Sequence, residues 1–345
     1  MSYDALLVLS FGGPESREDV LPFLRNVLRE RNVPEERMLE VAEHYYHFGG
    51  RSPINDQNRA LIAALETELE QHGPQLPVYW GNRNWTPYLA DTLQQMKDDG
   101  VKRALAYVTS AFSSYSGCRQ YRENIIAARA KVGEGAPQID KLRVFFNHPG
   151  FIAPMTENVQ AALHKLPASV RDQAQVIYTA HSIPTSMAQG SKYVTQLEES
   201  CRLISGALGR TGDTLAYQSR SGPPSQPWLE PDILDYLRQV KKTGSHPAVV
   251  IAPVGFTSDH MEVLYDLDTE AADLCNELQF PMVRASTVGN HPRFITMIRE
   301  LINERVDPTA PRRFLGNLGS GLDVCAVDCC PAPQRPVMAK PAVST

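Results

Sequence analysis

The sequence predicts an α/β protein built from two doubly wound, Rossmann-like domains, each with a parallel sheet, and a cleft between them. Short apolar runs alternate with longer amphipathic segments from end to end, the pattern of strand–helix–strand units. These runs fall into two similar sets, divided near Asn147-His148-Pro149-Gly150. The 345 residues are enough for two domains of ordinary size and a sizeable core.

In the first half, strands are expected at 4–10, 77–81, 104–110 and 143–146, each a short apolar run. The amphipathic segments 16–30, 56–72, 86–98 and 119–132 supply the helices between them. In the second half, strands are expected at 175–180, 214–218, 248–254 and 282–286, with helices at 151–164, 191–207, 230–241, 259–278 and 292–305. The expected domains are therefore 1–149 and 150–306. From Asp307 onward the chain is rich in Pro, Gly, Arg and Cys, and 307–345 reads as an extended tail. Sites in such folds lie beyond the carboxyl ends of the strands.

Composition narrows the function classes. A formal net charge of -5, 42% hydrophobic and 21% charged residues describe an ordinary folded chain. No basic stripe stands out, so nucleic acid is not an expected partner. No apolar run approaches the ~20 residues that span a bilayer. The start, Met-Ser-Tyr-Asp-Ala-Leu-Leu-Val-Leu-Ser, lacks a basic n-region, so a cytoplasmic location is expected. Of the six cysteines, Cys325, Cys329 and Cys330 cluster near the C-terminus and ask for a metal or redox explanation. Cys201 and Cys275 fall within expected helices and read as small buried hydrophobes.

Two patterns carry chemistry in the second half. From Ser258 to Val283 the chain holds seven acids (Asp259, Glu262, Asp266, Asp268, Glu270, Asp273 and Glu277) and no Lys or Arg. On a helix Glu262, Asp266 and Glu270 share one face over about 12 Å. Like charges at that spacing repel, and a divalent cation is the economical counter-charge. Thr257 or Ser258 is expected to cap this helix. The run 175–180 ends at His181-Ser182-Ile183-Pro184, where Pro184 stops a helix from starting at once and leaves His181 at a strand end. Imidazole with carboxylate suits a borderline metal such as Fe(II). A solvated acidic face and a structural histidine are the plainer readings of each pattern alone.

The first half supplies aromatics and hydroxyls in two loops, 45–55 (Tyr45-Tyr46-His47-Phe48-Gly49-Gly50-Arg51-Ser52-Pro53-Ile54-Asn55) and 109–121, which ends at Tyr121. Such a surface suits a flat, apolar ligand with polar edges. The turn Ser10-Phe11-Gly12-Gly13-Pro14-Glu15 lacks the Gly-x-Gly-x-x-Gly spacing of a dinucleotide site, and Glu15 stands where pyrophosphate would sit.

Together these residues resemble the ferrochelatase family over about 3–306. The motifs are Leu9-Ser10-Phe11-Gly12-Gly13-Pro14-Glu15, Gly49-Gly50-Arg51-Ser52-Pro53-Ile54, Thr179-Ala180-His181-Ser182-Ile183-Pro184, Gln218-Ser219-Arg220-Ser221-Gly222, Pro227-Trp228-Leu229-Glu230-Pro231 and Pro253-Val254-Gly255-Phe256-Thr257-Ser258-Asp259-His260-Met261-Glu262. The resemblance implies a chelatase-like fold and insertion of Fe(II) into a porphyrin. By it, His181 and Glu262 form the Fe(II) site, with Asp266 and Glu270 as an accessory acidic ladder. Ser52 and Tyr121 match porphyrin-contacting positions, and Phe11 matches the position facing the metal, where it cannot ligate. His44 and Tyr45 join this substrate-binding set, and Arg29, Arg31, His44 and Arg51 are available for propionates.

The chain is most similar to the actinobacterial branch, which implies coproporphyrin III as substrate, coproheme as product and hand-off to a decarboxylase in heme b formation. Protoporphyrin IX is the alternative ring. A cobalt chelatase and a non-catalytic tetrapyrrole or metal carrier are the rival classes. Some members of the family hold a 2Fe–2S cluster; Cys118 matches its internal ligand, and Cys325, Cys329 and Cys330 are the tail candidates, in a Cys-x-x-x-Cys-Cys spacing that departs from the family's looser patterns. Lack of the C-terminal dimer-forming helix of animal relatives implies a monomer.

Overall fold

The computed structural model describes residues 2–29, 33–222 and 225–332. In the first half, in chain order, come β1 (Ala5–Ser10), α1 (Val20–Leu28), α2 (Glu35–His47), α3 (Ile54–His72), β2 (Val78–Asn82), α4 (Leu89–Asp98), β3 (Arg103–Val108), a π-helical turn (Tyr115–Arg119), α5 (Gln120–Val132) and β4 (Gln138–Lys141). The second half runs α6 (Pro149–Lys165), α7 (Ala168–Arg171), β5 (Gln175–His181), α8 (Thr185–Gln189), α9 (Tyr193–Ala207), β6 (Thr214–Gln218), α10 (Ile233–Thr243), β7 (Val249–Ala252), α11 (Met261–Val263), a π-helix (Leu264–Ala271), α12 (Ala272–Glu277), β8 (Met282–Arg284) and α13 (Pro292–Val306).

Each half holds a four-stranded, all-parallel sheet, ordered β2-β1-β3-β4 and β6-β5-β7-β8. The two orders are the same, so each half has one switch point, beside β1 and β3 or beside β5 and β7, where loops diverge and ligands bind. Strand residues alternate between two apolar layers, as the period of two requires. Leu6, Val8, Leu105, Tyr107, Val176, Tyr178, Val250 and Ala252 enter one central core. Leu7, Leu9, Ala104 and Ala106 face the opposite side of the first sheet, and Ile177, Val249 and Ile251 that of the second. The central core spans both halves, and α13 packs on α3 as well as α6.

Several expectations needed correction. The last strand of the first sheet is 138–141, not 143–146. As an edge strand it pairs on one side only, along β3, so its Gln-Ile-Asp-Lys sequence carries no apolar signal. The apolar segment after it leaves the sheet, and Phe145 and Phe146 pack in the core. There Arg143 is buried, its guanidinium paired with Glu304 at 2.7 Å and donating to Arg313 O at 2.8 Å. The first helix starts at Val20 because Asp19 accepts from Glu15 N and Ser16 N and holds that stretch as a turn.

A helix absent from the expected set, α2, follows Pro34 with Glu35 and Glu36 in its first turn. The segment 191–207 begins only at Tyr193, with the short α8 before it, starting directly after Pro184. Pro184 therefore precedes a helix at once rather than delaying one. The tail is not free. Leu315 N donates to Asn147 O at 2.9 Å, and Asn147 Nδ2 donates to the carbonyls of Leu315 and Gly319 at 2.9 Å.

Candidate active site

His181 is the last residue of β5, at the switch point of the second sheet. Its carbonyl accepts from the Tyr193 hydroxyl at 3.0 Å. Its ring Nδ1 lies 2.5 Å from Ser182 O. A carbonyl only accepts, so Nδ1 carries a proton, and the neutral tautomer this bond selects has its lone pair on Nε2. Nε2 lies 3.8 Å from Glu262 Oε2, and the two side chains are 33% and 48% exposed. The pair is thus formed, yet open on one side to an incoming group.

Glu262 reaches this place because the chain leaving β7 crosses the end of β5 closely. Gly255 N donates to Thr179 O at 2.9 Å. A Cβ on Gly255 would stand 2.6 Å from Ala180 Cα, so only glycine permits this approach. The cap of the helix that follows is His260, whose Nδ1 accepts from Glu262 N at 3.2 Å. Thr257 and Ser258 do not serve as that cap; the Thr257 hydroxyl instead donates to Thr109 O across the two halves, at 3.2 Å. His260 brings a second imidazole beside the first. Burial lowers its pKa, the neighbouring His181 adds to that, and Glu262 opposes it.

The acidic segment is not one α-helix. Between α11 and α12 the eight residues Leu264–Ala271 are π-helical, the wide i→i+5 form that recurs at functional sites. Asp266 is held inward: Gln218 Nε2 donates to its Oδ2 at 3.1 Å, and the Ser219 hydroxyl makes a short bond to the same oxygen. Ser219 adopts φ 62°, a left-handed conformation costly for a side chain, at the end of β6. Burial pushes the Asp266 carboxyl up to about 7, and the charges of Glu262 and Glu270 push the same way against the Ser219 and Gln218 bonds. Glu270 is also raised, by burial and by Asp232. The ladder Glu262–Asp266–Glu270 therefore survives the change of helix type as a mutually repelling set. Among the described residues, no three His, Cys, Asp or Glu side chains converge on one point that could hold a metal ion.

The first half faces this ladder with rings. Burial raises the Tyr45 hydroxyl, and the Glu262 charge adds to it, which places α2 beside the acids. His44 stacks on Tyr265 of the π-helix, centroids 3.6 Å apart and planes 7° off parallel. Gln57 and Asp259 exchange two bonds between the halves, at 2.8 and 2.9 Å. Phe11 follows β1, and the Arg83 guanidinium lies between its ring at 5.6 Å and that of Tyr121 at 4.7 Å. Tyr121 is buried at 5% exposure, and burial raises its hydroxyl while Arg83 and Thr109 lower it.

Ser52 is buried under Gly13, its NH donating to Pro14 O at 2.9 Å. Arg51 is exposed and paired with Asp56 at 2.5 Å, and Arg29 is exposed at the end of α1. Arg31 lies outside the described residues. Arg83, Tyr265, Gln218, Ser219 and His260 were not singled out as site residues. Only the tertiary contacts mark Arg83 and Tyr265; the other three stood within motifs whose individual side chains gave no separate signal.

The cysteines form a second locus. Cys118 sits in the π-turn Tyr115–Arg119, where Ser114 Oγ accepts from Gly117 N at 2.9 Å. The hydrogen bond with Cys325 is the largest influence pulling the Cys118 thiol down, with Lys141 adding to it. Cys118, burial and Cys329 all push the Cys325 thiol up, and Cys329 Sγ lies 3.6 Å from Cys330 Sγ. Cys330 has φ 53°, which turns the chain between these adjacent thiols. The thiols of 118, 325, 329 and 330 thus lie in one neighbourhood, with Cys329 and Cys330 in direct contact. Cys201 and Cys275 are buried in α9 and α12, apart from this group.

The ferrochelatase family profile matches residues 3–306. A ferrochelatase of Rhodopirellula baltica is 59% identical over 338 residues, covering 98% of this chain and 96% of its own. A coproporphyrin III ferrochelatase of Streptomyces coelicolor is 54% identical over 352 residues, covering 96% of this chain and 94% of its own. Among solved structures, SirB from Bacillus subtilis with Fe3+ superposes with a TM-score of 0.52 at 13% identity, covering 89% of this chain and 98% of its own, a likeness of fold. With a histidine and an acidic ladder joined at the switch point of a chelatase fold, and the family's sequence pattern across both halves, the chain belongs to the ferrochelatases, which place ferrous iron in a porphyrin.

Proposed function

We propose that this enzyme inserts Fe(II) into coproporphyrin III, giving coproheme for heme b formation. The observation that carries the chemistry is the His181 Nε2–Glu262 pair at 3.8 Å, with its lone pair directed by the Ser182 carbonyl. Support for the ring comes from the names of relatives such as the Streptomyces coelicolor and Nocardia farcinica proteins, both coproporphyrin III ferrochelatases.

Insertion releases two pyrrole protons. His181 Nε2 accepts one of them or first contacts the iron, and Glu262 is the second iron ligand or the relay that carries protons away. Asp266 and Glu270 feed metal to that pair. Phe11, Tyr121, Ser52, Tyr45 and His44 form the porphyrin wall. Arg29 and His44, with Arg31 and Arg51, are the propionate candidates, and Arg83 joins them. A rigid cleft that favours a saddled ring exposes its nitrogen lone pairs. The organisation proposed is 1–149 for the porphyrin wall, 150–306 for the metal site and 307–345 for the tail. We place the protein in the cytoplasm as a monomer that passes its product to a decarboxylase. Among the described residues no helix is long and apolar enough to cross a membrane.

The cysteine locus fits a 2Fe–2S cluster. It offers no single-ion site, but a binuclear cluster needs four thiolates, and Cys118, Cys325, Cys329 and Cys330 lie close enough to influence one another's ionisation, the last two in contact. Such a cluster would supply one-electron chemistry there and tie the tail to the first half.

Anaerobic Fe(II) insertion with the two rings in parallel tests the substrate. Much higher kcat/KM for coproporphyrin III than for protoporphyrin IX is expected; equal values would assign the wrong ring.

A further inference from the structure

Lys141 ends the edge strand β4, and nothing in iron insertion uses it. Its ammonium nevertheless makes two bonds to one residue, donating to Cys118 O at 2.8 Å and to Cys118 Sγ at 3.1 Å. Two arginines one turn apart meet the other partner of this locus. Arg122 donates through both terminal nitrogens, to Ala326 O at 3.0 Å and to Val327 O at 2.8 Å. Arg119 directs Nη1 at Cys329 O, 3.5 Å away, while its Nε pairs with Glu123 at 2.9 Å.

Three cations therefore surround a group of four thiols, and they hold it by different atoms. The arginines bind tail carbonyls and set where the tail lies. Lys141 binds a sulfur. A 2Fe–2S cluster on four thiolates is doubly negative when oxidised and triply negative after taking one electron. Positive charge and hydrogen bonds to sulfur both favour the more negative state, and these are among the factors that set cluster potentials. The hydrogen bond to Sγ survives ligation, because a metal-bound thiolate retains lone pairs.

We propose that Lys141, Arg119 and Arg122 are positioning residues for the cluster: the arginines seat the cysteine tail, and Lys141 raises the cluster's reduction potential through Cys118 Sγ. This inference rests on the cluster reading above.

The test uses the full chain purified anaerobically, as wild type and as Lys141→Gln, Lys141→Arg and Arg122→Gln. Iron and acid-labile sulfide are measured, reduction is followed by an EPR-monitored redox titration, and tail exposure by limited proteolysis. Lys141→Gln should keep the fold and become at least tenfold harder to reduce, about 59 mV for a one-electron couple, while Lys141→Arg stays near wild type. Loss of iron from Lys141→Gln with retention in Lys141→Arg also supports the inference, since charge then seats the cluster. Arg122→Gln should speed cleavage of the tail and lower cluster content. Unchanged potential and content in Lys141→Gln, with the tail of Arg122→Gln as protected as wild type, overturns the inference while leaving the cluster intact. Wild type without iron or sulfide removes the cluster reading itself, and this inference with it.

Discussion

His181 presents Nε2 to the site because its other nitrogen is tied to the Ser182 carbonyl. On the proposed mechanism, replacing the ring removes the group that accepts a pyrrole proton or first contacts iron, and leaves the proposed porphyrin wall in place. His181→Ala is therefore expected to abolish Fe(II) insertion with porphyrin binding largely retained. A loss in kcat/KM below tenfold, about 1.4 kcal/mol of barrier, would remove His181 from the central role. Glu262→Gln should be nearly as severe and Glu270→Gln milder, since only Glu262 faces the imidazole.

Asp266 gives a pH dependence. Its folded pKa of about 7 lies above the ordinary 3.8, so its contribution to stability is whole below about pH 3.8, is lost as pH rises through about 7, and is absent above. Asp266→Asn keeps an acceptor for Ser219 and removes the buried charge. Thermal unfolding of the metal-free protein should show Asp266→Asn more stable than wild type by a few degrees at pH 8 and equal to it near pH 4. An equal shift at both pH values would refute the buried-charge account.

At the scale of elements, the loop from β7 to α11 makes a close backbone approach beside the site. Gly255 lies against Ala180, one residue before His181. Gly255→Ala would force the loop off β5, at a cost of about 1–3 kcal/mol for overpacking, and would move Glu262 away from His181. A lowered denaturant midpoint together with reduced kcat is expected; wild-type values for both would mean the loop has slack that its contacts do not show. The acidic helix was legible as a helix because Val263, Leu267 and Leu274 form its buried stripe. Its π register was not, since nothing in local propensity distinguishes an i→i+4 from an i→i+5 bond. The edge strand β4 escaped notice for a related reason: its identity lies in backbone pairing with Arg103–Ala106, which side-chain hydrophobicity does not report.

Across the whole molecule, the halves are joined by one core, by α13 on α3, and by the Gln57–Asp259 and His44–Tyr265 contacts. The tail adds a further tie. If a cluster bridges Cys118 to the tail thiols, its binding contributes directly to folding. Cys118→Ser should bleach a red-brown protein and lower its Tm by several degrees, with His181 chemistry not directly changed. A colourless wild type whose Tm is unaffected by Cys118→Ser would leave these four cysteines as ordinary thiols.

The alternation of apolar runs and amphipathic segments by itself determined two parallel α/β halves, because burial on both sheet faces demands that pattern. The motifs around His181 and Glu262 likewise marked two side chains that the fold brings within 3.8 Å, since strand ends and the loops after them are local in sequence. Which side chains from the first half meet that site was decided only by tertiary structure. Arg83 lies between Phe11 and Tyr121, His44 lies on Tyr265, and Lys141 reaches Cys118 across sequence separations that no periodicity spans. The cysteine resemblance implied a tail folded back towards Cys118, but which groups hold it was hidden: they are carbonyls bonded to Asn147, Arg143 and Arg122. Every residue carries a carbonyl, so only the fold selects which ones find a donor.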